Sequence, residues 1–451
     1  MVAFPSSLRS LVCLALVGVH LNQQTQLVLG AALPSPATIP SAASSVSNPA
    51  SSASTPDVKA INDQDNKIRG VGLGGWLVPE SFITPSLFSR TNNSTIVDEW
   101  SFWSLQPTAQ ATHLLQSHLD NFITERDFAA MAQLGLNHVR LPIPFYAIDV
   151  AADEPYLKLN RWELAKQAVK WAAMQRIRVI IDLHSLPGGQ NGYDHSGRLG
   201  QNLWASNQTY FDRSLKIVET IATEFSKPEY LGAVIAIEPV NEPMTNNTRV
   251  DEYYKASHHL INTISSSTIV TLLDDGGPQN LDSWRNRTHP RAMTAMSSHP
   301  YLMFSDEDLL LNRTDKVAKI CDMGKQYQNF HQQEMYLVVD EMTPAFTDCA
   351  INVNGRGKGS RYDGTFPGAK GRRSTCKGKI GSGAGFSSGY KQMLALMWEA
   401  QVVSFERTAG WMQWTWKTEP GYAEDWSFSA GVAHGWIPQD LNERRFNVTC
   451  P

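Results

Sequence analysis

Short aliphatic runs and amphipathic stretches with a helical period alternate along this chain from residue 61 onward. The aliphatic runs fall at Arg69–Leu77, His138–Pro142, Arg178–His184, Ala233–Asn241, Thr268–Asp274, Ala295–Tyr301, Met335–Glu341 and Gly410–Trp416. Between them Glu125–Leu134, Trp162–Arg176, Phe211–Phe225, Val250–Ile264 and Ser387–Phe405 read as helices. In the second of these Trp162, Ala165, Val169 and Ala172 share one face. Eight strand-then-helix alternations predict an α/β fold, a (β/α)8 TIM barrel forming one domain over residues 61–451. The competing architecture is a doubly wound open sheet, with a glycine-rich nucleotide loop behind its first strand. VGLGGWLV lacks the G-x-G-x-x-G spacing and no helix follows it, so the barrel is the expectation.

The pattern breaks down before residue 61. Arg9 followed by the apolar Leu11–Val19 and small residues at Gly30–Ala32 predict a signal peptide over residues 1–32. Residues 33–60 are Ser, Ala and Pro with few large apolar side chains, which predicts a disordered linker. No later run reaches the length of a membrane span, and RRFNVTCP lacks a lipid-anchor tail. A secreted protein, extracellular or in a cell wall, is expected. Asn92, Asn93, Asn207, Asn246, Asn286, Asn312 and Asn447 each open an N-x-S/T sequon. With Cys13 in the signal, Cys321, Cys349, Cys376 and Cys450 remain; they allow three pairings among which spacing does not choose. None lies in a C-x-x-C pair, which argues against zinc.

Charge narrows the partners. A net −4 and a pI near 6.3 give no basic field for nucleic acid or an anionic membrane. Thirteen Trp with little net charge suit a neutral, hydroxyl-rich ligand, although large cores also use Trp. Lys370–Lys379 (KGRRSTCKGK) is a basic run of the kind that binds polyanions; a Gly-rich rim loop explains it equally well, and nucleic acid is not expected. A monomer is expected.

In a barrel the C-terminal ends of the strands line the active site. Those positions hold Arg140, Asp182 with His184, Asn241 with Glu242, His299 with Tyr301, Asp340 with Glu341, and Trp414 with Trp416. Glu242 and Glu341 belong to the fourth and seventh strands, which face each other across a barrel. Two carboxyls about 5–5.5 Å apart cleave a glycosidic bond with retention, and about 6.5–9.5 Å apart with inversion. Asn241 is placed to hold a sugar 2-hydroxyl, Arg140 to keep Glu341 ionised and Tyr301 to donate to it. Asp182, His184, Glu242 and His299 could instead bind a divalent ion, but such barrels carry an H-x-H pair on the first strand and RGVGLGGWL has none. No metal or cofactor is expected. Glu238 reads as a deeper buried partner for Arg140 or a histidine, and Asp182 as an orienting group from below. His195, His258 and His259 read as solvated.

The segments RGVGLGGWLVPESFITPSLF, NHVRLPIPFYA, VIIDLHSLPGGQNGYDHSG, IEPVNEP, TDCAINVNGRGKGSRYDG and WTWKTE resemble the fungal exo-β-1,3-glucanases of glycoside hydrolase family 5, in order from Arg69 to Cys450. The resemblance implies a retaining mechanism without cofactor, with Glu242 as acid/base and Glu341 as nucleophile. It implies that Arg140, His184, Asn241, His299 and Tyr301 surround the pair, with Trp414 as the floor under the sugar. Glu80 and Asp194 match carboxylates that hold terminal glucose hydroxyls; Tyr193 and Phe304 match aromatics at the entrance, and Asn354 a further sugar position. It also pairs Cys349 with Cys376 and Cys321 with Cys450. The chain departs from the family pattern at Asp340-Glu341-Met342-Thr343, where Gly-Glu-Trp-Ser is usual, and at Lys358, Leu302 and Ser185, where Arg, Gln and Gly are usual. Strand alternation predicts Asp340 on the side opposite Glu341. The implied activity is release of glucose from β-glucan ends, with transfer to another chain as a variation. The alternatives are a catalytically weak wall-binding relative and a β-glucosidase of other linkage or aglycone preference; the intact polar set favours the enzyme.

Overall fold

The computed structural model describes residues 67–274, 281–285, 287 and 292–451. The signal peptide and linker expected over residues 1–60, the domain start at 61 and the sequon Asn286 lie outside the described residues. The strands are β1 (Ile68–Gly72), β2 (His138–Pro144), β3 (Arg178–Ser185), β4 (Val234–Glu238), β5 (Val270–Asp274), β6 (Thr294–Ser297), β7 (Leu337–Met342) and β8 (Gly410–Gln413). They pair in parallel in sequence order, and β8 closes onto β1 with Ile68 opposite Gly410. The expected (β/α)8 barrel is the fold observed.

Long helices fill the connections, among them Glu125–Gln133, Arg161–Met174, Gln208–Phe225, Asn247–Ser265, Arg313–Gln333 and Ser388–Phe405. Three begin on sequon asparagines: the side chains of Asn207, Asn246 and Asn312 accept from backbone N–H groups of the first turn. Such a cap satisfies donors that have no partner inside the helix. The two disulfides are Cys349–Cys376 and Cys321–Cys450, as the resemblance implied.

Four strands stop earlier than the aliphatic runs suggest. β1 ends at Gly72 because the chain turns at Gly75, in a left-handed conformation (φ +71°). β4 ends at Glu238, ahead of Pro239, which has no N–H to give a ladder. Asn241 and Glu242, expected at its end, follow in a bent segment held beside β3 by Asn241 N–H donating to Leu183 O at 3.3 Å. His299 and Tyr301 likewise follow the end of β6, and Trp414 and Trp416 the end of β8.

Two layers inside the barrel account for the site. Ile180, Ala236, Leu272, Ala295 and Val338 belong to one buried apolar cluster with Ile68 and Met412, a plug drawn from seven of the strands. Two residues further along each strand the inward positions are Asp182, Glu238, Asp274, Ser297 and Asp340, all fully buried. The period-two alternation of strands thus changes, within one step, from an apolar floor to a polar chamber.

Candidate active site

Arg140 on β2 organises that chamber. Its Nε donates to Glu238 at 2.8 Å, Nη1 to Glu341 at 2.5 Å and Nη2 to Asn241 Oδ1 at 2.8 Å, while Asp182 and Asp340 lie 3.2 and 3.4 Å from it. Burial alone works against the guanidinium charge, but Asp182, Glu238, Glu341 and Asp340 together hold it well above its usual pKa. Glu238 is therefore the buried partner expected. Asp182 accepts from His184 Nδ1 at 2.6 Å, which fixes that ring; the ring stacks on Trp414 at 5.5 Å.

Glu341 receives two hydrogen bonds, one to each oxygen: Arg140 Nη1 on Oε1, and Tyr301 Oη on Oε2 at 2.6 Å. Burial pushes its pKa up, against the pull of His299 and Arg140. Asp340, expected on the opposite side, faces the same chamber, with Arg140 3.4 Å away, His299 Nε2 3.4 Å away and Ser297 Oγ donating at 2.5 Å. The expectation assumed an unbroken strand. Between Val339 and Met342 the pairing of β7 with β8 slips by one residue, three steps on β7 against two on β8. Asp340 keeps the inward phase of Val338, and the bulge turns Glu341 inward as well.

Glu242 sits in a left-handed backbone conformation (φ +45°), and its N–H donates to Asp274 Oδ2 at 2.5 Å. A residue other than glycine adopts that conformation only when its surroundings enforce it. Here Asp274 holds one side, and Gln190 the other, donating to the carbonyls of His184 and Asn241. Its Oε1 lies 3.0 Å from His299 Nδ1 and its Oε2 3.5 Å from His195 Nε2. Burial acts to raise the Glu242 pKa, but the hydrogen bond and charge of His299, then His195 and His184, bring it to about 2. His299 shows the converse: burial opposes its charge, yet Glu341, Asp274, Asp340 and Glu242 hold it well above the usual value. The two shifts are opposite because each group favours the charged form of the other across the 3.0 Å contact. His195, expected to be solvated, is half-buried against Glu242, and burial takes its pKa down to about 4. His258 is also half-buried, 3.3 Å from Thr271 Oγ1, whereas His259 is exposed.

One oxygen of Glu242 and one of Glu341 lie within 4.8 Å of each other and of a His299 nitrogen. Glu238, Asp274 and His299 form a second such group. Arg140 is hydrogen-bonded to one carboxylate of each group, Glu341 of the first and Glu238 of the second. The arrangement suits two carboxyls flanking a scissile bond at the short spacing of double displacement.

The outer positions divide. Asn241 Oδ1 is taken by Arg140, while its buried Nδ2 has no protein partner among the described residues, which leaves the amide nitrogen to donate to a ligand. Glu80 is nearly buried, accepts from Gly75 N–H at 3.2 Å, and is pushed well above the carboxylate range by burial and by Glu341 and Asp194. Burial takes Asp194 up to about 6. Trp414 lies flat where a Cβ on Gly72 or Gly74 would come within 2.5 Å of its ring. Gly72 and Gly74 of VGLGG make room for that ring. Tyr193 and Phe304 are among the exposed aromatics, Phe304 packed at 5.7 Å against Tyr301. The Asn354 amide is engaged inside its own loop with Asp348, Gly359 O and Arg361. Asp274 and His195 were missed from sequence. Asp274 follows Leu272 by two residues, as Asp182 follows Ile180, so the alternation contained its signal; nothing local marked His195.

The model of "Cellulase (glycosyl hydrolase family 5)" matches residues 103–350. The chain is 36% identical over 388 residues to a probable glucan 1,3-beta-glucosidase A of Aspergillus niger, covering 85% of this chain and 90% of that protein. It is 33% identical over 398 residues to a glucan 1,3-beta-glucosidase of Blumeria graminis, covering 87% and 91%. Among solved structures, a rutinosidase from Aspergillus niger superposes with a TM-score of 0.64 at 19% identity, covering 83% of this chain and 98% of that one. At that identity the likeness speaks for the fold.

Proposed function

The chain belongs to glycosyl hydrolase family 5 and is a glycosidase, and on that premise we propose that it is a secreted, retaining exo-β-1,3-glucanase that releases glucose from the ends of wall β-glucan. Glu341 attacks the anomeric carbon while Glu242 delivers a proton to the departing glycosidic oxygen. Glu242 then takes a proton from the water that displaces Glu341.

The observation that carries this assignment is the hydrogen bonding of Glu341. Each of its oxygens accepts a hydrogen bond, one from a guanidinium that can only donate and one from a phenol, and the Arg140 charge favours the attacking anion against the burial that raises its pKa. Both oxygens of Glu242 face histidines, which can pass a proton in either direction. The low pKa of Glu242 follows from its hydrogen bond with His299, and in this mechanism the proton passes from His299 to Glu242 across that 3.0 Å contact as the leaving oxygen takes one up. Asn241 Nδ2 donates to the sugar 2-hydroxyl, and Trp414 lies under the ring. Glu80 and Asp194 hold the terminal hydroxyls, and Tyr193 and Phe304 flank the entrance. Among the described residues no helix is long and apolar enough to cross a membrane, in keeping with an extracellular or wall-associated enzyme.

The test is to incubate the secreted protein and its Glu341→Gln variant with laminarin and follow the anomeric form of released sugar by NMR. First-formed β-glucose from the wild type, abolished in the variant, is the expected result. First-formed α-glucose would overturn the mechanism, and no release from any β-glucan by folded protein would overturn the activity.

A further inference from the structure

The basic run Lys370–Lys379 takes no part in the chemistry above. It belongs to the turn-rich loop that leaves β7 and is tied by Cys349–Cys376. Residues 356–379 hold eight Lys and Arg against one acid, Asp363, a net +7; the whole chain is −4, so the rest carries −11. Arg356 is used by the carbonyls of Phe88, Asn93 and Ile96, and Arg361 and Arg373 meet Asp348 and Asp306 at 3.5 and 3.8 Å. The other five, Lys358, Lys370, Arg372, Lys377 and Lys379, have no carboxylate within 4.0 Å among the described residues.

The loop stands at the mouth of the site. Its Tyr362 packs in one cluster with Tyr301 and Trp414. Lys370 N–H and the Arg373 side chain reach Asp306, two residues beyond Phe304. Lys358 and Arg361 are near enough to Asp194 and Tyr193 to act on their ionisation. Lys379 is held by Thr375 O and the rings of Tyr362 and Tyr390, and Arg372 by Ser374 O, but none of the five charges is balanced by a carboxylate among the described residues, and neutral glucan gives no reason to gather them here. The run KGRRSTCKGK contains no aromatic ring on which a nucleobase would stack. A uronate polymer asks only for spaced cations along an open edge.

We propose that this loop is a docking surface for an acidic polysaccharide bearing uronate carboxylates, which it holds beside the entrance. Binding is read without turnover, so it stands or falls separately from the hydrolytic assignment. The experiment measures retention of the whole secreted protein on immobilised polygalacturonate against salt, for the wild type and a Lys370→Gln/Arg372→Gln/Lys377→Gln variant. All three side chains are exposed, so the variant keeps the fold and the same kcat/KM on a short neutral laminarin oligosaccharide. The wild type is expected to bind at low salt and the variant about 100-fold more weakly, since each basic side chain near an anionic surface contributes a factor of about five. Equal retention of the two proteins, or no retention of the wild type, overturns the proposal. Retention on DNA-cellulose without retention on polygalacturonate does so too, and points to a phosphate polymer.

Discussion

Replacing Asp340 by Asn removes one negative charge from the floor of the catalytic chamber while keeping the volume and an acceptor for Ser297 Oγ. Asp340 Oδ1 lies 3.4 Å from His299 Nε2. At an effective dielectric of about 20, two unit charges at that distance interact by about 5 kcal/mol. Asp340 is shared with Arg140 and Ser297, so the figure is an upper bound, and a shift of about 1–3 pK units in the histidine is the working magnitude. The other groups facing His299 are Glu242 after β4, Asp274 at the end of β5 and Glu341 on β7, with Arg140 behind Asp340. All of them remain in the variant. His299 has a raised pKa because carboxylates surround it, so losing one lowers that pKa and the pair it forms with Glu242 releases its proton at lower pH. The alkaline limb of the kcat/KM profile on laminarin, which reports loss of that proton, is expected to move to lower pH by about 1 unit or more. The acid limb, which reports ionisation of Glu341, moves less and in the same direction. Asp340→Gly, the residue usual in the family, moves the alkaline limb the same way. A folded Asp340→Asn enzyme whose alkaline limb coincides with the wild type would refute the reasoning.

Three further outcomes follow from the same geometry. Arg140→Met leaves Asp182, Glu238, Asp340 and Glu341 without their shared cation and is expected to cost about 3–5 kcal/mol in urea denaturation. The loss is smaller at pH 5 than at pH 8, because buried carboxylates left unpaired take up protons. Gly74→Ala puts a methyl against the Trp414 ring; kcat/KM falls and stability drops by about 1–3 kcal/mol, read by activity and thermal melting. Asp425, fully buried beneath Tyr390, is raised by burial to about 7. Between about pH 4 and 7 the native state keeps a proton that the unfolded chain has released, so wild-type stability falls as pH rises through that window. Asp425→Asn removes the slope, and its Tm advantage over the wild type should grow from pH 4 to pH 8.

Much of this protein is legible in the order of its residues. The alternation of aliphatic runs with helical periods determines the barrel, because a parallel strand needs a crossover and a helix is the compact one. The polar residues that close those runs, Arg140, His184, Asn241, Glu242, His299, Tyr301 and Glu341, could be picked out because strand ends meet at one face of such a barrel. The glycines of VGLGG were visible, but the purpose of Gly72 and Gly74 was not: they leave space for Trp414, which arrives from the other end of the chain.

Tertiary structure decided the rest. Sequence alternation places Asp340 and Glu341 on opposite faces, and only the slip in register against β8 turns both into one chamber. Register depends on how two strands fit, and neither strand's own sequence records it. His195 looked like a loop histidine until the segment carrying it folded back over Glu242. Whether Glu242 or His299 carries the proton depends on charges contributed by five strands and the segments that follow them, within a few ångströms of one another. The sequence by itself determined which groups are present; their electrostatic contest was decided by distances that exist only once the barrel has closed.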